Sequence, residues 1–378
     1  MISSKKQIQT DTLIFIAICA TLIFIGLIFI YSSSSVYALE KCNDAAFFVK
    51  KQLFGLLFGL CALAIARFFP ISLIKNLSLL WLIGALLLTL VTCFKSPFAI
   101  HIHGSSRWLN IGGFAFQPSE LLKIALILYT AHFIEKKSTK KKSLLHGYLP
   151  LLIILTLVSL ILLKQPDFGL TVTLIGTVFL LLFIADFNTQ FLFWSIGALI
   201  PLAITLIILR PYRVKRILTF LNPWNDPQGA GFQIIQSLIA IGSGGLWGVG
   251  IAQSKQKFFY LPMQHTDFIF SIIAEETGFL GCFCIILLFI ALLFFGVRIA
   301  LNLHTLFAKL VTIGFVILIS LQALINIAVT TGLAPTKGIG LPFVSYGNSA
   351  LVCHLIMLGI IINLVYHDAA EHKKRISV

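Results

Sequence analysis

The chain has 378 residues, of which 58% are hydrophobic and only 11% are charged, and its formal net charge is +15. A mean hydropathy of +1.01 excludes an ordinary soluble domain and places the chain in a bilayer. The basic residues are scattered between apolar stretches and accompany no nucleic-acid motif, so membrane lipids or a phosphorylated ligand are the favoured partners and nucleic acid is excluded. Seven cysteines, mostly inside apolar stretches, predict neither a disulfide framework nor a zinc site.

The apolar stretches predict an all-α polytopic membrane protein, since a transmembrane helix needs about 20 apolar residues. Residues 1–378 are expected to form a single transmembrane domain. A long extracytoplasmic loop, about residues 210–266, is expected between the seventh and eighth spans. About ten spans are predicted, at residues 11–32, 53–68, 76–94, 119–135, 148–163, 169–185, 190–209, 267–297, 307–332 and 345–367.

Basic residues in the loops predict cytoplasmic termini. In that orientation the inner side holds fourteen lysines and arginines and the outer side seven, apart from the long loop. The long loop would add six to the outer side, so these six need another explanation. Four of them cluster directly after a span, where binding of a phosphate is favoured over a solvated face: Arg210, Arg213, Lys215 and Arg216.

Two motifs place ionisable groups near membrane depth, where such groups are costly and often functional. In "FQPSELLK" (116–123), Glu120 and Lys123 lie one helical turn apart and are expected to form an ion pair within the bundle, with either a structural or a cavity-shaping role. In "KQPDFG" (164–169), Asp167 belongs either to a tight turn or to the lining of a cavity.

The stretch "YLPMQHTDFIFSIIAEETGFLG" (260–281) places Asp267 at the mouth of a span. A carboxylate there can act as a general base if burial raises its pKa, or as a helix N-cap, a task that Thr266 could also perform. Helical spacing puts Glu275 on the side of Asp267 and Glu276 on the opposite side, and it assigns neither glutamate a role beyond packing or tuning of a cavity. Lys337, in "APTKGIGLPFVSYGNS" (334–349), could bind a phosphate or remain solvated.

Five blocks of the sequence resemble the SEDS family, the proteins of shape, elongation, division and sporulation, in the order in which that family has them. They span nearly the whole chain: "GSSRWLNIGGFAFQPSELLK", "KQPDFG", "YRVKRILTFLNPWNDPQGAGFQIIQSLIAIGSGGLWGVG", "QKFFYLPMQHTDFIFSIIAEETGFLG" and "APTKGIGLPFVSYG". Gln233 and the Thr336-Lys337 pair are more similar to the FtsW branch than to the RodA branch. Met263 and Asn348 depart from the family, which usually has glutamate and glycine there.

The resemblance implies a peptidoglycan glycosyltransferase of the inner membrane that polymerises lipid II in cell division and releases undecaprenyl pyrophosphate. It also implies a class B penicillin-binding protein as the crosslinking partner, together with other division proteins. The family's essential aspartate corresponds to Asp267. The expected substrate-binding residues are Arg107, Arg213, Arg216, Lys337, His265, Thr266 and Ser345.

The sequence shows no dedicated metal cage, although a divalent ion, Mg or Mn, would suit the hard oxygen atoms of Asp267 and a pyrophosphate. Two other functions stay open. A lipid II flippase would need cations along the whole path across the membrane, and a scaffold for division proteins would make the outer charges dispensable.

Overall fold

The computed structural model describes residues 2–94, 99–102, 105–111, 114–140, 143–208, 211–258 and 261–376. Within these ranges the chain is mostly α-helical. The helices are α1 Ile2–Cys42, α2 Phe47–Phe68, α3 Ile71–Asn76, α4 Ser78–Val91, α5 Pro118–Lys136, α6 Leu149–Lys164, α7 Phe168–Ile184, α8 Thr189–Ile208, α9 Pro211–Leu221, α10 Phe232–Ser243, α11 Ile269–Asn302, α12 Leu306–Thr330 and α13 Asn348–Ile376. Short 3-10 turns lie at Ser138–Lys140 and Pro223–Asn225, and a π-helical turn lies at Leu144–Tyr148.

Each of the ten predicted apolar stretches coincides with one of these helices, and α3, α9 and α10 are additional. In the described part of the chain, six segments are long and apolar enough to cross a membrane: Lys6–Cys42, Phe47–Phe68, Leu144–Lys164, Ile269–Asn302, Leu306–Thr330 and Asn348–Asp368. The multi-span helical class is therefore confirmed, and the count of ten stays a prediction. The predicted long loop contains α9 and α10.

Small residues let the helices approach closely. A Cβ atom added to Gly55 of α2 would lie only 2.6 Å from the Asn348 side chain of α13, and one added to Gly59 would collide with Leu355. This pair forms the GxxxG pattern of α2, and such patterns allow two helix backbones to pack together within a membrane. The opposite face of α2 exposes Phe54, Leu57 and neighbouring apolar side chains, as a lipid-facing surface does.

A small antiparallel sheet was not predicted between residues 94 and 119. Its strands, β1 Ala99–Ile102, β2 Ser105–Ile111 and β3 Phe114–Phe116, pair in the order β1-β2-β3. Strands this short carry too few alternating residues to stand out beside long apolar helices. The sheet matters for function because β2 carries Arg107 toward the start of α7.

Asp11 and Asp368, which lie near the two ends of the chain, are at the end of the bundle opposite to Asp267. Asp267 lies two residues before the start of α11, and about 30 helical residues at 1.5 Å each separate it from the far end of that helix, a distance of roughly 45 Å. At that far end Arg298 pairs with Asp11 of α1 at 3.0 Å, and His304 pairs with Asp368 of α13 at 2.8 Å. The arrangement agrees with an even number of spans.

Candidate functional site

Two segments that are distant in sequence meet at the site. The backbone N–H of Tyr346 donates to the carbonyl of His265 at 2.9 Å, and the Ser345 hydroxyl donates to the carbonyl of Thr266 at 2.5 Å. The same hydroxyl accepts a hydrogen bond from the backbone of Leu341 at 2.7 Å. Ser345, which we expected to bind substrate, thus has its hydroxyl engaged within the protein on both its donor and its acceptor side.

Asp267 is partly exposed and does not cap α11. The N-cap position belongs to Phe268, which makes no side-chain capping hydrogen bond. Burial raises the pKa of Asp267 from 3.8 to about 6, while the positive charges of Arg107 and Arg216 oppose the shift and the negative charge of Asp167 adds to it. The carboxylate therefore lies within the electrostatic reach of all three groups and titrates close to neutral pH.

Arg107 and Asp167 form one wall of the site. The Arg107 guanidinium donates to the carbonyls of Gln165 at 3.1 Å and Pro166 at 2.6 Å, and it pairs with the Asp167 carboxylate at 3.6 Å. Asp167 also caps α7 by accepting a hydrogen bond from the backbone of Leu170 at 3.2 Å. The two interpretations of the "KQPDFG" motif are thus compatible, since Asp167 shapes a turn and contributes charge at Asp267.

Lys337 and Arg216 approach from other directions. The Arg216 guanidinium donates to the carbonyl of Thr336 at 2.9 Å, and the Lys337 ammonium lies 5.0 Å from the centre of the Phe168 ring. Burial lowers the pKa of Lys337, and Asp167 partly offsets this effect. The structure therefore brings Arg107, Arg216 and Lys337 to the same end as Asp267.

A cavity of about 320 Å³ opens between α9, α10 and the segments that carry Asp267 and Lys337. Its lining combines cationic side chains, amides and backbone: Lys215, Arg216, Gln228, Gly229, Ala230, Phe232, Gln233, Pro262 and Thr336. Arg213 belongs to α9, but its side chain lies outside the described residues.

His265 lies in an aromatic cluster. Its ring centre is 4.5 Å from that of Phe48, 5.7 Å from that of Tyr346 and 6.0 Å from that of Tyr37. Burial lowers the pKa of His265 to about 4, so the imidazole is neutral at physiological pH. A neutral ring can donate a hydrogen bond to substrate but cannot supply a positive charge.

Glu275 and Glu276 fix the long loop onto α11, a role that the sequence did not reveal. Glu275 accepts hydrogen bonds from the Ser254 hydroxyl and from the Lys255 backbone, the latter at 2.8 Å. Glu276 pairs with the buried Lys257 ammonium at 3.6 Å. These contacts place both carboxylates against backbone and side chains of residues 254–257, which answers why an apolar helix retains them.

The Ser32 hydroxyl of α1 donates to the Glu276 carboxylate, whose two oxygens lie 2.6 Å and 2.7 Å away. Nearer to Asp267 in sequence, the side-chain amide of Gln264 donates to the carbonyl of Ser33 of α1 at 2.6 Å. Gly278 has a φ of +66°, a conformation that favours glycine, and the backbone of Gly248 packs against it. The segment leading to Asp267 is thus attached to both α1 and α11.

Asn326 of α12 is a second residue that the sequence did not single out. Its side chain is 1% exposed, and its amide nitrogen lies 2.7 Å from the carbonyl of Asp267 and 2.7 Å from that of Ile339. One side chain thus joins the two segments of the site.

Glu120 and Lys123 form the predicted ion pair, at 2.5 Å, and both are buried. Their electrostatic neighbours include Cys353 and His354 of α13. In the described part of the chain no hydrogen bond or ion pair links them to Asp267, and both side chains lie within the bundle core.

Across the described ranges, no three His, Cys, Asp or Glu side chains are grouped as metal ligands. Asp267 is the carboxylate best placed to contact a divalent ion, because the Asp167 oxygens already contact Arg107 and Leu170. Most ligands of such an ion would have to come from substrate and water.

Comparison with known proteins identifies the family. A family model described as "Cell cycle protein", which covers FtsW, RodA and SpoVE, matches residues 12–370. The chain is 42% identical over 370 residues to stage V sporulation protein E of Bacillus subtilis, covering 96% of this chain and 98% of that protein. It is 39% identical over 359 residues to the probable peptidoglycan glycosyltransferase FtsW of Geobacter metallireducens, covering 95% and 96%.

Solved structures agree in fold. A chain from a peptidoglycan synthase complex that coordinates polymerization and crosslinking superposes with a TM-score of 0.78 at 28% identity, covering 94% of this chain and 97% of that chain. The rod shape determining protein RodA of Thermus thermophilus gives a TM-score of 0.68 at 24% identity, covering 93% and 95%. By sequence along nearly its whole length, the chain belongs to the FtsW, RodA and SpoVE family.

Proposed function

We propose that the protein is a peptidoglycan glycosyltransferase that polymerises lipid II into β-1,4-linked glycan strands and releases undecaprenyl pyrophosphate, with cell division as its setting. The observation that carries the proposal is the environment of Asp267: a partly exposed carboxylate whose pKa burial raises to about 6, within reach of the positive charges of Arg107 and Arg216 and with Gly338 of the Lys337 loop packed against it. The names of the relatives support the reaction class.

Asp267 is the general base. It takes the proton from the 4-hydroxyl of the N-acetylglucosamine of an incoming lipid II while that oxygen attacks C1 of the N-acetylmuramic acid at the lipid-linked end of the growing chain. The new C–O bond forms as the bond from C1 to the diphosphate oxygen breaks, and the configuration at C1 inverts from α to β. A base with a pKa near working pH combines a useful ionised fraction with adequate basicity.

The surrounding cations stabilise the diphosphate as negative charge develops on it. Groups held in place before the reaction lower the barrier more than they tighten binding of the ground state. Arg216 and Lys215 border the cavity of about 320 Å³, which has room for a diphosphate group next to the Asp267 segment. This role explains the basic residues that border the cavity, whereas Lys257 of the same loop pairs with Glu276.

Substrate enters from the outer face of the cytoplasmic membrane in this proposal. Asp11 and Asp368 lie at the end of the bundle opposite to Asp267, and the loop count of basic residues assigns that end to the cytoplasm. The site is then at the level of the outer headgroups, where a lipid-linked diphosphate would lie.

A class B penicillin-binding protein is the proposed partner, because a structural relative belongs to a complex that coordinates polymerization with crosslinking. Other division proteins and membrane lipids complete the surroundings. A Mg or Mn ion bound to Asp267 and the diphosphate would supply further positive charge at the leaving group.

The test uses purified protein with its synthase partner and labelled lipid II in detergent. Wild type is expected to produce glycan ladders, Asp267→Asn none, and Asp44→Asn, which removes an exposed carboxylate elsewhere, ladders like those of wild type. Ladders that persist in Asp267→Asn would remove this residue from the mechanism. The same protein is also reconstituted into vesicles, and labelled lipid that crosses their membrane in the absence of any ladder would favour the flippase.

A further inference from the structure

Asn326 connects the two parts of the site from inside the bundle. It lies on α12, 59 positions from Asp267 and 13 from Ile339 in sequence, and is 1% exposed. Its amide nitrogen has two hydrogens, and the carbonyls of Asp267 and Ile339 lie 2.7 Å away in two directions. The nitrogen thus donates one hydrogen bond to the segment that carries Asp267 and one to the segment that carries Lys337.

We infer that Asn326 is a positioning residue that sets the separation between the Asp267 carboxylate and the Lys337 loop. The inference rests on the proposed function, because it concerns how that reaction is aligned. Asn326 acts only through backbone, so it moves no proton and need not contact substrate.

The Lys337 loop is closely coupled to the contact made by Asn326. The backbone N–H of Ile339 donates to the carbonyl of Lys337 at 3.0 Å, and the carbonyl of Ile339 is the one that Asn326 holds. Between them, Gly338 lies so close to Asp267 that an added Cβ would be 3.3 Å from Oδ2. A shift of either segment therefore changes the distance from base to cation directly.

A second set of hydrogen bonds between the two segments limits the loss of rate expected when Asn326 is replaced. Ser345 and Tyr346 join the same loop to Thr266 and His265 through hydrogen bonds of 2.5 Å and 2.9 Å. Loss of Asn326 would therefore loosen the segments at Asp267 without separating them. Misplacement of reacting groups by about 1 Å costs on the order of 100-fold in rate.

The experiment compares Asn326→Leu, which has similar volume and no donor, with Gln322→Met. Gln322 is a matched control because it is a buried amide one turn away on α12, and its hydrogen bond within the described residues joins it to His354 of α13. Ladder formation by each protein with its synthase partner is measured against lipid II concentration and pH.

We expect Asn326→Leu to lower kcat by about 100-fold, with KM changed by less than about 3-fold. We also expect the acid limb of its pH profile to move to lower pH, because a loosened Asp267 gains contact with water and loses the burial that raises its pKa. Gln322→Met should keep the wild-type acid limb. A merely structural role for Asn326 would lower the amount of folded enzyme and leave the limb in place.

Thermal unfolding in detergent shows whether Asn326→Leu folds. If it does not, Asn326→Ser takes its place, because serine retains one hydrogen-bond donor. A smaller loss of kcat and a smaller shift of the acid limb are then expected. An unchanged acid limb in the folded variant overturns the inference while the proposed function stands. A wild-type enzyme that makes no ladders overturns the proposed function, and the inference with it.

Discussion

Gly338 lies directly against the Asp267 carboxylate: a Cβ atom at position 338 would be 3.3 Å from Oδ2 of Asp267. A methyl group there forces the carboxylate or the loop to move by a few tenths of an ångström. Gly338→Ala is therefore expected to lower kcat on the order of 10-fold, since alignment of the base is disturbed and not removed. Initial rates of ladder formation measure the change.

Gly347→Ala is the matched control for this prediction. It adds a methyl group to the same loop, where the new Cβ would meet the Ala350 methyl at an ordinary 3.7 Å. Equal rates for the two variants would show that Gly338 is not in close contact with the base during the reaction.

The pH dependence of polymerization follows from the pKa of Asp267. A base with a pKa of about 6 is protonated below that pH, so activity should fall as pH decreases through about 6. Arg216 lowers this pKa, so Arg216→Gln should raise it and move the acid limb to higher pH, besides lowering kcat. The pH profile of kcat measures both effects.

Lys255→Gln provides the comparison, because Lys255 is an exposed lysine of the same loop outside the cavity. Its acid limb should match that of wild type. A limb that moves equally in both variants would indicate a general effect of loop charge in place of a specific effect of Arg216.

Glu276 and Lys257 should prove to be interdependent. Both are almost fully buried, their charged groups lie 3.6 Å apart, and Ser32 and Ser254 complete the network. Glu276→Gln leaves a buried ammonium without its counter-ion, which typically costs about 3 to 5 kcal/mol of stability. We expect a lower unfolding temperature in detergent and faster proteolysis within residues 244–258.

The double variant Glu276→Gln with Lys257→Met should recover much of that stability, because it removes both buried charges. A double variant whose loss equals the sum of the two single losses would contradict a direct interaction. Thr10→Val, which changes an exposed side chain bonded only to its own helix, serves as the neutral reference.

Sequence periodicity predicted the helices well because length and continuous apolar character are local properties. The ten apolar stretches could be recognised without knowledge of which helices touch. Asp267 was found from its position at a span mouth and from family resemblance. By contrast, the contact between Ser32 and Glu276 joins residues 244 positions apart, so no local sequence pattern predicts it.

The roles of Asn326 and Ser345 also could not be predicted from local sequence patterns. An asparagine inside an apolar stretch signals a buried polar contact, but its partners are two backbone carbonyls, which carry no sequence signal. Ser345 was predicted to face substrate from its motif, and the structure shows its hydroxyl bonded to Thr266 and Leu341. Backbone partners had to be seen in three dimensions.

Glu120 and Lys123 allow a final prediction about coupling between the bundle core and the site. The pair is buried, at 2.5 Å, and its electrostatic neighbours include His354 of α13. Either Glu120→Gln or Lys123→Met leaves one unpaired charge in the core, so each should lower the unfolding temperature strongly, by the equivalent of about 3 to 5 kcal/mol.

The double variant Glu120→Gln with Lys123→Met should be markedly more stable than either single variant, because no buried charge remains unpaired. Its ladder formation should retain the acid limb near pH 6, since the pair makes no hydrogen bond or ion pair with Asp267 within the described residues and is not among the charges that shift its pKa. A displaced acid limb in the stable double variant would show that the Glu120–Lys123 ion pair influences the pKa of Asp267 directly.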